Sequence, residues 1–506
     1  MEHHVDGSTA SSTSSQRTLG EALDEAPLSL FHLKAAFTSA MGFFTDAYDL
    51  FIIGVALVLI KGEWHLSAVQ TSFLGGATLL ATLVGALVFG RIADIVGRTR
   101  VYGLVAGIMA FGALATALAP GYLWLVAFRF VLGVGIGGDY PVSAVMASEY
   151  ANRQRRGLLV SLVFSSQAAG LIIGPVVALA LLASGVNHEV AWRLMLGLGA
   201  LPALSVLYLR IKTPESPRFA AQVQGRESEA RAAMEKYSLG VVQAGAAAGG
   251  SGRTSLRTFL TDRKSLLLIL GTAGSWFLLD YVYYGNTISA PVILRGVAPG
   301  ASLLQSTAWT LMIFALFAVP GYACAVLSVD RVGHRRLQWI GFLAMAVCFG
   351  LIGFIPGLTH IIVPFLLIYG ISYFFTEFGP NVTTFLIPTE VFGVGERTTG
   401  HGIAAGVGKL GAFLGVFLFP VLSSALGLGG VLILCSGVGV AGALLTLVLP
   451  EKSGLSLDAA PPAVTSVYAE EPVEQLLEEP AARISEEPAV RVPAEPAERV
   501  PAESAA

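Results

Sequence analysis

The sequence predicts an all-α polytopic membrane protein, with twelve transmembrane helices in two pseudo-symmetric six-helix bundles. Three observations carry this prediction. Of 506 residues, 54% are hydrophobic and only 13% charged, with a mean hydropathy of +0.70, whereas a soluble domain has about a quarter of its residues charged. Twelve apolar stretches each approach or exceed the roughly 20 residues a helix needs to cross hydrocarbon. The two halves also repeat. GRIADIVGRTR at 90–100 returns in weaker form as SVDRVGHRRL at 328–337, and SEYANRQRRG at 148–157 returns as TEVFGVGERTTG at 389–400.

Hydropathy places the spans at 34–60, 68–92, 100–119, 121–149, 157–184, 190–211, 265–293, 303–328, 336–356, 359–389, 398–425 and 427–449. The junction at 421–432 is the least marked, because its loop is nearly apolar. These spans group as a bundle over 31–211 and a second over 265–450, separated by a central loop at 212–264 that contains TPESPRF, GRESEARAAMEKY and GAAAGGSG. Residues 1–30 are polar and rich in Ser and Thr, with no cleavable signal peptide. Residues 451–506 are rich in Pro, Ala and Glu, with near-repeats in RVPAEPAERVPAE. Neither terminal segment has the apolar content to bury a core, so both are expected to be disordered.

Orientation follows from the basic residues of short loops. Arg91, Arg98 and Arg100 lie between spans 2 and 3, Arg153, Arg155 and Arg156 between 4 and 5, Arg331, Arg335 and Arg336 between 8 and 9, and Arg397 between 10 and 11. The opposite loops hold little more than Lys61 and Arg295. Both termini and the central loop are therefore expected in the cytoplasm. No organelle signal is present, which points to the plasma (cell inner) membrane. The formal net charge of -3 reflects an acidic tail offsetting this basic face. Cys324, Cys348 and Cys435 all fall in apolar segments and imply no disulfide framework.

Charges inside the spans are the functional signal, since an ionised side chain in hydrocarbon costs roughly 2.5 kcal/mol or more and usually faces a protein-lined pathway. Span 4 carries Arg129, Asp139 and Tyr140, and its glycines at 133, 135, 137 and 138 leave room for close helix approach. Trp276, Asp280 and Tyr284 in span 7 are spaced i, i+4, i+8 and share one helix face. Gln167 lies mid-span in helix 5 and Asn381 between Pro380 and a Thr pair in helix 10, where each polar group must find a partner. Pro380 and Pro388 are expected to loosen helix 10. Lys409 is the one lysine inside a span of the second half, about a dozen residues from the span's start. Its charge suits an anion; the alternative is snorkelling to the surface. Asp46 and Asp49 lie near one face of span 1, and one of them can pair with Arg129; the pattern does not select which. Asp94 with Arg98, and Asp330 with Arg331 or Arg335, are candidates for gating salt bridges with Glu149 and Glu390. Arg153, Arg155 and Arg156 read as topology determinants and lipid contacts. There is no nucleophile–base pair, metal cluster or phosphate-binding Gly-Lys-Ser loop, so no enzyme, cofactor, metal or nucleic-acid partner is expected.

At GRIADIVGRTR, EYANRQRRG and PESPRF the chain resembles the sugar-porter-like branch of the major facilitator superfamily. GFFTDAYDLFIIG (42–54), GIGGDYPVSAVMASEYA (135–151), EFGPNVTTFLIPTEVF (377–392) and GKLGAFLG (408–415) narrow the resemblance to the phosphate:proton symporter family, over about residues 30–450. The resemblance implies alternating-access import of inorganic phosphate with protons across a lipid bilayer. It assigns phosphate binding to Tyr140, Gln167, Trp276, Asp280, Tyr284, Asn381 and Lys409. Proton coupling falls to Asp46 or Asp49 with Arg129, to Asp139 and to Asp280. A carboxylate beside a phosphate must be neutralised, so Asp280 is expected to couple proton to anion. Two other readings stay open: a symporter of another solute, such as an organic carboxylate or sugar, and a phosphate-sensing membrane receptor. Oligomeric state is not encoded in any of these features.

Overall fold

The computed structural model describes residues 19–238 and 255–458. Every regular element among them is helical. Eleven helices are long and apolar enough to cross a membrane. They comprise α1 (Leu30–Trp64), α2 (Ala68–Val96), α3 (Arg98–Ala117), α4 (Tyr122–Tyr150), α5 (Arg156–Ala183), α6 (His188–Lys212), α7 (Arg263–Val297), α8 (Leu303–Val332), α9 (His334–Phe354), α10 (Ile362–Val391) and the continuous stretch Arg397–Thr446. This last stretch is two helices: Gly427 interrupts it with φ 69° and ψ 169°, a conformation essentially restricted to glycine. Dividing there gives α11 (397–426) and α12 (428–446), and so the twelve expected spans. Side chains such as Leu104, Phe111, Leu123 and Val347 stand exposed on the outer faces, as a lipid-facing surface requires.

The internal repeat is visible in local chemistry. Ser67 opens α2 by accepting the N–H of Gln70 at 3.2 Å, and Ser302 opens α8 by accepting that of Gln305 at 3.1 Å; both complete capping boxes. α2 ends at Gly97 (φ 110°) and α8 at Gly333 (φ 93°), each the glycine of the repeated loop motif.

The span 4 glycines do what their spacing implies. A Cβ on Gly133 would lie 2.2 Å from the carbonyl oxygen of Thr78, and one on Gly137 2.1 Å from that of Thr82. α2 therefore lies directly on the α4 backbone. The second half repeats this between α7 and α11, where a Cβ on Gly411 or Gly415 would meet the carbonyls of Phe277 or Tyr281 at 2.3 and 2.1 Å. Pro380 and Pro388 also act as expected on α10. Pro380 has no N–H to donate, and the chain widens into a π-turn over Glu377–Asn381, then breaks again ahead of Pro388.

Two stretches expected to lack order are ordered where they meet the bundle. Leu19–Glu25 is a helix whose Leu19, Ala22 and Leu23 pack on Ala220, Ala221 and Ala230 of the central loop. Residues 451–458 run across the same end of the molecule, held by Arg156 to the Leu455 carbonyl at 2.9 Å and by an Arg218–Asp458 ion pair. Short apolar faces and buried arginines explain the order, and overall polarity had concealed them. The run GAAAGGSG, residues 1–18 and the near-repeats of the tail lie outside the described residues.

Candidate functional site

The glycine seam between α7 and α11 is what creates the central site. With Gly408 against the indole of Trp276, the next residue, Lys409, is carried to the polar face of α7. Its Nζ donates to Asp280 at 3.1 Å and to the Tyr284 hydroxyl at 2.5 Å. It also lies 4.1 Å from the Tyr284 ring centre and 4.6 Å from that of Tyr140. Lys409 does not snorkel: it is 1% exposed. The ammonium thus sits between an α7 carboxylate and an α4 phenol, at the meeting of the two halves.

From Tyr140 a hydrogen-bonded chain crosses the molecule. Tyr140 donates to Asp46. Gln167 donates to the Tyr140 hydroxyl at 3.4 Å and accepts from Tyr322 at 3.2 Å, while Asn381 donates to Tyr322 at 2.8 Å and also to Glu377. Trp276 packs its ring against Tyr140, Phe385 and His401, with centroids 5.9, 6.3 and 5.5 Å away. All seven residues expected to bind the solute, Tyr140, Gln167, Trp276, Asp280, Tyr284, Asn381 and Lys409, therefore surround one region, and each is 1–3% exposed.

Helix 1 offered two aspartates, and the structure separates them. Asp49 receives both terminal nitrogens of Arg129, at 3.2 and 2.9 Å, in a buried bidentate pair. Asp46 points instead at Tyr140. Asp139 is not brought into the central group. One residue from Tyr140 turns it about 100° around the helix, toward α6, where Arg210 grips both its oxygens and Ser143 donates to it at 2.9 Å. The Arg210 guanidinium also lies 4.3 Å from the Tyr102 ring centre. Arg210 stands in the last turn of α6, and sequence reasoning did not single it out.

The gating carboxylates form an interlock at the end of the molecule that carries the described terminal segments. Asp94 pairs with Arg98 at 3.2 Å, and Arg98 with Glu149 at 3.4 Å. Glu149 also pairs with Arg397 of α11 at 3.1 Å. In the second half the expected partners are wrong. Glu390 pairs with Arg156 of α5 at 3.6 Å and with His334 at 2.7 Å, while Arg331 is exposed and Arg335 binds the Leu449 carbonyl. The reason is register: His334 follows Asp330 by the same D-x-x-G spacing that places Arg98 after Asp94, so the histidine holds the arginine's place. Arg156 is accordingly a buried cross-half partner, not a lipid contact. Just inside this interlock, Phe385 packs against Phe43 and Phe164, with centroids 4.9 and 4.5 Å away. Toward the other end Phe51 meets Phe314 at 5.6 Å. The site is closed on both sides.

Sequence reasoning also passed over Tyr322 and Glu377. Glu377 is a carboxyl inside span 10, so the rule that flagged Asp139 applies equally to it.

Comparison with known proteins gives a consistent picture. The family model for sugar (and other) transporters matches residues 35–463. A probable inorganic phosphate transporter 1-6 of Arabidopsis thaliana is 35% identical, over 88% of this chain and 96% of the relative. Inorganic phosphate transporter 1-6 of Oryza sativa subsp. japonica is 34% identical, over 86% and 93%. Among solved structures, the proton:xylose symporter XylE bound to 6-bromo-6-deoxy-D-glucose superposes with a TM-score of 0.73 at 19% identity, covering 87% of this chain and 99% of that one. The inward-open form of XylE from E. coli gives 0.61 at 19% identity, covering 84% and 98%.

Proposed function

The chain belongs to the sugar (and other) transporter family of the major facilitator superfamily, on its inorganic phosphate transporter branch, and from that premise we propose that it imports inorganic phosphate together with protons by alternating access. It is a transporter and not an enzyme. The observation that carries the solute assignment is Lys409, a buried ammonium held between Asp280, Tyr284 and the face of Tyr140. A neutral sugar has no use for such a charge, whereas a phosphate oxygen accepts from it strongly.

The Lys409–Asp280 pair supplies the coupling. Phosphate and Asp280 compete for one ammonium. When phosphate takes it, Asp280 is left as a buried anion beside another anion, and it takes up a proton. Tyr140, Gln167, Trp276, Tyr284 and Asn381 provide donors around the phosphate. Release of the proton restores the Asp280–Lys409 pair and expels the anion. The Asp49–Arg129 pair is a second switch, since protonation of Asp49 frees Arg129. Asp46, bonded to Tyr140, links helix 1 to the site. Asp139 is proposed to contribute to proton coupling through its Arg210 pair, outside the phosphate cavity. Carrying as many protons as the phosphate has negative charges makes the cargo neutral, and each further proton lets an inside-negative potential drive import. The arginine-rich loops support a plasma-membrane protein with both termini in the cytoplasm, which makes the interlock of Glu149 with Arg397 and of Glu390 with Arg156 the inner gate.

Uptake of radiolabelled phosphate into proteoliposomes under an imposed pH gradient tests the proposal. Uptake by the wild type that is abolished in Asp280→Asn and in Lys409→Ala supports it. Absence of wild-type uptake, or unchanged uptake in both variants, refutes the site. Competition by sulfate, arsenate, benzoate and glucose ranks the solutes.

A further inference from the structure

Glu377 is the one carboxyl beside the central site that the coupling scheme leaves unused. It is 0% exposed, and among the described residues no cation pairs with it. Asp280 has Lys409, Asp49 has Arg129 and Asp139 has Arg210. The groups packed around Glu377 are neutral. Tyr283 of α7, Tyr322 of α8 and Asn381 of its own helix face it, with Tyr373 one turn before it. α8 meets it at Gly321, whose Cβ would lie 3.1 Å from that of Glu377. α9 approaches the turn through Gly341, against Gly379 and Pro380. One carboxyl oxygen accepts from Asn381; the other, Oε1, is buried with no hydrogen-bond partner.

An ionised carboxylate is acceptor-only and needs a counter-charge or several donors in such surroundings, whereas a protonated carboxyl needs neither. Tyr322 already donates its proton to Gln167, so its hydroxyl oxygen, which faces Glu377, is left to accept from a carboxylic O–H. Position adds a second argument. Glu377 ends the relay that runs through Asn381, Tyr322, Gln167 and Tyr140 to Asp46. It also opens the π-turn that Pro380 creates in α10, the kind of local widening through which a helix changes shape.

We propose that Glu377 is a proton-binding site of the transport cycle, distinct from Asp280 and from the Asp49–Arg129 pair. The closed state holds it as the acid. Oε1–H forms when a proton arrives from the water of the opened cavity. That bond breaks when α10 reshapes at the π-turn toward the opposite side, the proton returning to water there. This rests on the phosphate–proton symport reading, and it adds one proton to each phosphate carried.

Two measurements on the full chain test it. With the membrane potential clamped at zero, each coupled proton multiplies the steady-state phosphate accumulation by about ten per unit of pH gradient. Glu377→Gln keeps the shape and the neutral state but cannot release a proton. It is expected to retain phosphate exchange between equal pools while accumulating about tenfold less per unit of gradient than the wild type. Infrared difference spectra of the wild type should contain a protonated-carboxyl C=O band that Glu377→Gln removes. Wild-type accumulation in Glu377→Gln, loss of exchange along with accumulation, or an unchanged carboxyl band overturns the proposal. A wild type that accumulates no phosphate refutes the symport reading itself, and with it the role in transport, while the infrared band still reports whether Glu377 holds a proton.

Discussion

Asp94 of the first half accepts both the backbone N–H and the hydroxyl of Thr399, each at 2.6 Å, at the start of α11 in the second half. The relationship is reciprocal. Asp330 of the second half accepts the N–H of Leu158 at 2.8 Å, at the start of α5 in the first. Both acceptors satisfy the third N–H of the opposite helix, a donor with no intrahelical partner. Glu149 and Glu390 then pair with Arg397 and Arg156, the first residues of the same two helices. Each half thus holds the other by a helix N-terminus, where a carboxylate is favoured by the helix dipole as well as by the hydrogen bond.

Weakening this interlock should therefore open it without unfolding either half. Asp94→Ala and Asp330→Ala each remove a charged cap worth about 1–2 kcal/mol. That corresponds to a shift of roughly 5- to 30-fold toward the open state. Spin labels placed at the exposed positions Arg100 and Arg336 should show a longer-distance population that grows in both variants. An unchanged distance distribution would remove the gating role from these aspartates.

The Lys409–Asp280 pair makes an opposite kind of prediction. Removing one partner strands a buried charge, at a cost of about 3–5 kcal/mol. Asp280→Asn and Lys409→Gln should each lower the unfolding temperature in detergent, whereas the double variant recovers much of the loss because no charge is left over. Transport should be abolished in all three. Recovery of uptake in the double variant would mean that the pair serves the fold alone.

How far the sequence discloses this arrangement depends on which physical rule applies to each residue. Span positions follow from hydropathy, and the junction that hydropathy blurred turns on one backbone angle at Gly427. Trp276, Asp280 and Tyr284 were legible because helical spacing puts them on one face. Lys409 was legible only as a charge out of place. Its partner could not be read, since the contact depends on α7 and α11 meeting along Gly408, Gly411 and Gly415. The same limit left Asp46 and Asp49 undivided, because three residues apart on a helix does not say which neighbour each one meets. Asp139 misled for a related reason. Its partner Arg210 sits in the last turn of a span, where arginines are commonplace and so attract no notice.

The docked segment 451–458 should respond to acid. Burial raises the Asp458 carboxyl, but Arg218, Gln222 and Arg397 outweigh it and hold the group below its ordinary value. A carboxyl depressed in the folded state contributes stability that is present above its unfolded pKa and is lost as pH falls through the folded one. Protection of 451–458 from hydrogen exchange should accordingly be constant at neutral pH and decline only below about pH 4. Asp458→Asn should show weaker protection than the wild type at neutral pH, no acid step, and the same protection as the wild type once the wild-type carboxyl is protonated. An acid step that persists in Asp458→Asn would assign the response to another group.

The α7–α11 seam gives a paired test in which one glycine is the control for another. A Cβ at Gly415 would fall 2.1 Å from the Tyr281 carbonyl oxygen, a backbone atom that cannot rotate away, while one at Gly437 in α12 meets nothing within 4 Å. Both positions are helical, so alanine improves backbone propensity equally at each, by about 0.5–1 kcal/mol. Gly437→Ala should therefore be neutral or slightly stabilising. Gly415→Ala must push α11 off α7, with an overpacking cost of about 1–3 kcal/mol, and it moves Lys409 relative to Asp280. Its unfolding temperature should fall and its phosphate uptake should fall with it, while Gly437→Ala transports as the wild type does. Equal behaviour of the two variants in both measurements would show that close contact along this seam does not set the geometry of the lysine.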